Sequence, residues 1–282
     1  MSDLRHKNFE KLFLYSGARN QSGLRMPLLM TGEAGTAKSQ AAEQLAERLN
    51  MRFGYMAGSQ QLTKSDMLGY RAPSGDIVDS LLGDFYQNGG LFVLEEMDAV
   101  NANILLNLNT AIAGSNGYFA GRMVKRHPDF VMVATANTYG GSTEDYNART
   151  KLDASTMSRF LRVEWDLDEK LETDILKDDL LDETIKVTRK DMYEKGYALS
   201  MRDVLSYQSL LNIGIDYTEA ARSTILREVE TEQRNSFMVK LKVKRPSKEP
   251  ISLSTEMPSE VPDSSTEETG PIPEPETGAN FG

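Results

Sequence analysis

Apolar positions change their period repeatedly along the chain, and each change marks a predicted element. Pro27–Thr31 is a short apolar run ending at a glycine, the pattern of a strand buried on both faces. Lys38–Leu49 then sets Ala41, Ala42, Leu45, Ala46 and Leu49 at helical spacing. Arg52–Met56 reads as a second strand, Gly90–Leu94 after the Asn88-Gly89-Gly90 turn as a third, Phe130–Thr135 as a fourth and Leu161–Trp165 as a fifth. Asn101–Ala113 reads as a helix with Ile104, Leu105, Leu108 and Ile112 on one face. Strands alternating with helices predict an α/β fold, a parallel sheet covered on both faces. After Asp166 the strand signals fade, and Glu169–Leu181, Arg189–Lys195, Met201–Ile213 and Glu219–Gln233 read as helices. The chain shows no internal repeat.

Composition alters this picture mainly at one end. Residues 246–282 hold seven of the chain's ten prolines and eight acids against a single base, Lys248. Most of the net charge of −10 therefore sits there, and only −3 is left for residues 1–245. Such a stretch buries too little apolar surface to offset its ordering entropy, which predicts a disordered acidic tail. The tail solvates the chain on the simplest reading, with partner docking through Phe281 as the alternative. The absence of cysteine excludes a disulfide framework, an Fe–S cluster and a thiolate zinc site. Two histidines, His6 and His127, are too few for a His-rich metal centre. His127, next to Pro128, reads as a turn or packing residue, and Trp165 as core at a domain boundary. Net acidity argues against a protein that coats DNA. No apolar run approaches the roughly 18 residues of a membrane helix, and Met1–Tyr15 has no signal-peptide core. The expectation is a soluble cytoplasmic protein.

Two motifs carry chemistry. Gly32-Glu33-Ala34-Gly35-Thr36-Ala37-Lys38-Ser39, followed by Gln40, lies between the first strand and the first long helix. That is the context of the phosphate-binding loop G-x-x-x-x-G-K-[ST], in which backbone N–H groups and a helix N-terminus converge on phosphate oxygens. Lys38 would reach the β- and γ-phosphates, and Ser39 would hold Mg²⁺. Ala37 stands where the second glycine belongs, so the motif is acceptable there only with a negative φ and room for a methyl group. The second motif is Leu91-Phe92-Val93-Leu94-Glu95-Glu96-Met97-Asp98, an apolar strand ending in acids. Its second acid, Glu96, is assigned as the carboxylate that orients the attacking water. Glu95 is assigned to the metal shell, one methylene longer than the usual aspartate.

With the segments around them, these motifs resemble the AAA+ ATPases of the MoxR/CobS-like (dynein-related) branch over roughly residues 20–215. The resemblance is densest at Gln61–Tyr70 and Asn107–Phe160. Asn116–Phe119 and Met123–Phe130 look like the hairpin before sensor 1, and Ala134-Thr135-Ala136-Asn137 is similar to the end of the sensor 1 strand. It implies that Asn137 contacts the γ-phosphate or the attacking water. Leu152–Phe160 looks like the segment whose arginine acts as a finger in a neighbouring subunit's site, which gives Arg159 that role, with Arg149 the second candidate. Leu199-Ser200-Met201-Arg202 resembles the sensor 2 motif at the start of a lid helix, so Arg202 would reach the nucleotide from the lid. The implied organisation is an N-terminal helical segment over 1–24, an AAA+ domain with a five-stranded parallel sheet over 25–167, a small all-α lid domain over 168–245 and the tail over 246–282.

The implied cofactors are ATP and Mg²⁺, and the implied assembly is a hexameric ring. The favoured expectation is an ATP-driven remodelling motor working with a von Willebrand factor A (VWA) domain protein. Ala37 and Glu95 put the hydrolysis rate in doubt more than binding, so a slow ATPase is compatible with them. One alternative is the ATPase subunit of a cobalt or magnesium chelatase. Another is a nucleotide-dependent module acting on nucleic acid through Arg122, Lys125 and Arg126 of the hairpin. Tyr70, Tyr118 and Phe119 are read equally as client contacts and as packing residues.

Overall fold

The computed structural model describes residues 4–137 and 152–241. Helix α1 (Phe9–Ser16) precedes strand β1 (Leu28–Thr31), helix α2 (Lys38–Arg48) and strand β2 (Phe53–Ala57). A short helix α3 (Lys64–Leu68) leads into a two-stranded hairpin, β3 (Tyr70–Arg71) and β4 (Ile77–Val78), then α4 (Leu81–Asn88) and β5 (Gly90–Glu95). A 3-10 turn at Met97–Ala99 and helix α5 (Ala102–Ala113) follow. A second hairpin, β6 (Asn116–Phe119) with β7 (Arg122–Lys125), precedes strand β8 (Phe130–Ala136). Beyond the gap come α6 (Ala154–Met157) and β9 (Leu161–Glu164), and then helices alone: α7 (Glu169–Leu176), α8 (Asp179–Glu194), α9 (Met201–Asn212), α10 (Tyr217–Ser223) and α11 (Thr231–Lys240).

The five long strands form one parallel sheet in the order β2-β5-β8-β1-β9. Its inner strands alternate between two apolar cores. Leu29, Phe92, Leu94, Met132 and Ala134 face one core, under α4 and α5. Leu28, Met30, Leu91, Val93, Val131 and Val133 face the other, under α1 and α2. Successive side chains point to opposite faces, and both faces are covered, so these strands are apolar throughout rather than alternating. All five predicted strands are present. The glycine-rich loop leaves the C-terminal end of β1 and the acidic motif that of β5, two strands away in the sheet with only β8 between them. A parallel sheet brings such ends together at one edge, where ligands bind.

The helical region keeps its own core, built around Leu181, Ile185, Val204, Tyr207, Leu226 and Phe237. Two predicted helices are broken there. Glu169–Leu181 is interrupted at Lys177, which takes φ 51°, and Asp178 caps a new helix by accepting the Leu181 N–H at 3.0 Å. Arg189–Lys195 is the last part of that new helix, α8, rather than a helix of its own. Glu219–Gln233 is likewise divided. Thr224 leaves helical geometry and its hydroxyl bonds back to the Ala220 carbonyl at 2.6 Å. Ile225, Leu226 and Val229 in the connecting turn are buried at a spacing that imitates a helix. Among the described residues no helix is long and apolar enough to cross a membrane. Arg149 and the stretch 246–282, including Phe281, lie outside the described residues.

Candidate nucleotide site

A cleft of about 790 Å³ opens between the sheet edge and α9. The loop after β1 contributes Ala34, Gly35, Ala37, Lys38, Ser39 and Gln40 to its walls. The end of β5 contributes Glu95 and Glu96, and the end of β8 contributes Thr135 and Asn137. Helix α9 covers the opposite side with Met201, Arg202 and Leu205. Residues drawn from four separate stretches of sequence, among them Lys38, Ser39, Glu95, Glu96, Asn137 and Arg202, therefore face one space.

The loop is shaped by contacts behind it. A Cβ on Gly32 would lie 1.9 Å from the Trp165 carbonyl oxygen, so only glycine fits. Gly35 has φ 76°, and a Cβ there would meet Ser200 at 2.8 Å, where the start of α9 closes over the loop. Gly32 and Thr36 are buried and, with the exposed Glu33, lie outside the cleft wall. They shape the loop from behind: the Thr36 hydroxyl donates to the Glu33 carbonyl at 2.8 Å. The expected negative φ at Ala37 is overturned. Ala37 sits at φ 63°, ψ 30°, the left-handed region that a glycine adopts without the steric cost of a Cβ.

Lys38 opens α2 and is buried. Its Nζ donates to the Gly32 and Glu33 carbonyls, both at 2.7 Å. Burial pushes the ammonium down to about 8, against the opposing pull of Asp98 and Glu96 and with a smaller push from Arg202. Ser39 and Gln40 are exposed to the cleft. Glu96 has φ 49°, and its N–H donates to the Thr135 hydroxyl at 3.0 Å, which ties the acidic turn to the neighbouring strand.

Ser39 and Glu95 offer hard oxygen donors on the same cleft, a set suited to Mg²⁺, which binds through one or two carboxylates together with phosphate. No cluster of three or more Asp, Glu, His or Cys side chains able to hold a metal occurs among the described residues. Arg159 follows α6, donates to the Ser155 carbonyl, and is not part of its own chain's cleft.

Sequence reasoning passed over two groups near the site. Thr135 was visible as the lone hydroxyl of an apolar strand. Asp98 is fully buried two residues beyond Glu96 and acts on Lys38 through its charge, which only the folded arrangement reveals. The hairpin also differs from one expectation. Arg126 is 3% exposed, donates to the Ile112 and Arg25 carbonyls and lies over the Phe130 ring, so it is a core residue with no reach toward nucleic acid. Arg122 pairs with Asp79 through both carboxylate oxygens, at 2.9 and 2.8 Å. Phe119 is buried and packs 4.9 Å from the Tyr86 ring, while Tyr118 and Tyr70 are exposed. Trp165 is core, as expected, and His127 serves a turn, its Nδ1 accepting the Asp129 N–H.

Part of this chain is similar to known proteins. Residues 27–160 match the model of the AAA domain, dynein-related subfamily. A curated relative, the aerobic cobaltochelatase subunit CobS of a Sinorhizobium species, is 26% identical over 145 residues, covering 47% of this chain. The match spans 44% of that relative, less than half its length. A solved structure of an ATPase candidate from Cytophaga hutchinsonii superposes with a TM-score of 0.46 at 14% identity, over 84% of this chain and 90% of that one. The two motifs, the strand order that unites them and the matching family model agree: residues 27–160, just under half of the chain, are similar to the AAA domain of the dynein-related subfamily.

Proposed function

We propose that the protein binds ATP with Mg²⁺ in the cleft above β1, β5 and β8 and hydrolyses it within a homo-oligomeric ring, a hexamer by the family resemblance. The observation that carries this reading is the meeting of Lys38, Ser39, Glu95, Glu96, Asn137 and Arg202 on one cavity. In it, the loop N–H groups and the start of α2 receive the phosphates, and Lys38 turns from the Gly32 and Glu33 carbonyls onto the β- and γ-phosphate oxygens. Ser39 and Glu95 would hold Mg²⁺, Glu95 through water, and the ion would supply charge neutralisation on the phosphates. Glu96 orients the attacking water, with Asn137 beside it and beside the γ-phosphate. Arg202 senses the nucleotide from α9, so that its state is felt by the helical region. Arg159 completes a neighbouring chain's site by neutralising charge on the transferred phosphoryl group.

The work performed is remodelling of a protein partner, with a VWA-domain protein as the co-acting component. Exposed Tyr70, Tyr118 and Met123 on the two hairpins form the client-facing side. A second reading, the ATPase subunit of a metal chelatase, is favoured by the likeness to the cobaltochelatase subunit. The two share the same nucleotide chemistry and differ in the partner. A nucleic-acid role is weakened by Arg126 in the core and Arg122 paired with Asp79, which leaves Lys125 as the exposed base of the three.

Equilibrium binding of Mg-ATP to the wild type, Lys38→Ala and Glu96→Gln tests the site. Lys38→Ala should weaken binding at least tenfold, and Glu96→Gln should bind normally while losing turnover. Equal binding by Lys38→Ala would remove the assignment.

A further inference from the structure

The loop that receives phosphate is held from behind by a residue that touches no part of the cleft. The Trp165 indole N–H donates to the Thr36 carbonyl at 3.0 Å, in buried surroundings. Its backbone N–H donates to the Thr31 carbonyl at 2.7 Å, and its own carbonyl fills the space that a side chain at residue 32 would need. One residue thus fixes the loop at its entry, through Gly32, and near its exit, through Thr36.

Trp165 is itself held. The His6 ring stacks on the indole with centroids 4.1 Å apart and planes 18° from parallel. Asn8 N–H donates to His6 Nδ1 at 3.0 Å, so the ring proton sits on Nε2, which donates to the Asp166 carbonyl at 2.7 Å. Both nitrogens are satisfied only in this neutral tautomer. The flanking residues extend the same grip. Asn8 Nδ2 donates to the Glu164 carbonyl at 2.8 Å, Lys7 Nζ to the Leu167 carbonyl at 2.8 Å, and the Lys7 N–H to an Asp168 carboxylate oxygen at 2.5 Å. Residues 6–8 therefore clasp the whole connection 164–168, which runs from the last sheet strand into the helical region that carries Arg202.

We propose that Trp165 and His6 are positioning residues for the phosphate loop, so that the segment at residues 6–8 sets the nucleotide affinity of a cleft it does not touch. The affinity part of the proposal rests on the ATP-binding reading above. The loop-ordering part does not, because it concerns the protein without nucleotide. Without the indole N–H, the Thr36 carbonyl is left buried with no indole donor, and the loop gains alternatives to the shape that converges its N–H groups. Without the imidazole, the indole loses the face that holds it.

Hydrogen exchange of the backbone amides of residues 32–38, measured on the full chain without nucleotide, tests this directly when paired with Mg-ATP titrations. The variants are Trp165→Phe, His6→Ala and His6→Phe, with thermal midpoints recorded for each. Trp165→Phe and His6→Ala should speed exchange of the loop about fivefold and raise the ATP dissociation constant by a similar factor. His6→Phe, which keeps a ring on the indole, should stay within twofold of the wild type on both readouts. A merely structural loss would spread exchange over the whole sheet and would not be rescued by a ring. Unchanged loop exchange in folded Trp165→Phe and His6→Ala overturns the proposal. If Trp165→Phe does not fold, the two His6 variants decide alone. Faster loop exchange in a protein that binds no ATP, wild type included, supports the loop-ordering part and defeats the ATP-binding reading together with the affinity part.

Discussion

Position 37 occupies a left-handed conformation, with φ of 63°, yet carries a methyl group. A Cβ there costs about 1–2 kcal/mol, partly offset by the lower chain entropy of alanine in the unfolded state. Ala37→Gly should therefore stabilise the protein by about 0.5–1 kcal/mol, a rise of roughly 2 °C in the thermal midpoint for a domain of this size. A fall in the midpoint would show that the methyl group makes contacts that outweigh the backbone cost. Lys38, one position on, gives a pH dependence. Its ammonium is held down to about 8 by burial. Phosphate oxygens favour the charged form, so the bound state has the higher pKa. Nucleotide affinity should be level below pH 8 and fall by up to tenfold per pH unit above it. A flat affinity between pH 7 and 10 would contradict the placement of this ammonium on the phosphates. The residues whose place on the cleft could be read directly from the sequence, Lys38, Ser39 and Glu96, are those that lie in a local pattern. Asp98 and Thr135 could not, because the first acts through a buried charge and the second through a bond to a turn 39 residues away.

Elements in the sheet were legible for a physical reason. Strands buried on both faces are unbroken apolar runs, and the turns between them carry glycine and asparagine. The helical region was less legible because its breaks preserve helical spacing. Leu171 and Ile175, then Leu176 and Leu180, stand four apart, the second pair across Lys177, and the sign of the break is the capping carboxylate of Asp178. What joins these helices is an ion pair. Arg189 donates to both oxygens of the fully buried Glu172, at 2.8 and 2.7 Å, and its Nε donates to the Leu199 carbonyl at 3.0 Å. The last bond anchors the residue just before Ser200, the cap of α9, and so holds the helix that bears Arg202. Arg189→Met leaves a buried carboxylate unpaired and should destabilise the protein by about 3–5 kcal/mol in urea unfolding. Replacing both partners, Glu172→Leu with Arg189→Met, should recover most of that loss. Equal destabilisation by the single and double variants would show that the bond to Leu199, rather than the charge, dominates.

At the scale of the molecule, a sheet edge supplies the chemistry, and a separate helical region closes over it. The chain's own cleft includes Arg202 and excludes Arg159. The resemblance assigns Arg159 to a neighbour's site, and its position away from its own chain's cleft is compatible with that. The resemblance also conveyed the order of motifs, but not the clasp by residues 6–8, which joins residues about 160 positions apart through contacts that no local pattern encodes. A nucleotide site completed by a second chain makes steady-state ATP turnover per chain depend on protein concentration. The series includes the wild type, Lys38→Ala, Glu96→Gln, Arg159→Ala and an equimolar mixture of Lys38→Ala with Arg159→Ala, with assembly mass recorded throughout. Turnover should rise with assembly, be lost in each single variant and return in part in the mixture, where an intact cleft meets an intact arginine. Turnover that is independent of concentration and survives in Arg159→Ala would place the whole catalytic apparatus within one chain and rule out a site shared between chains.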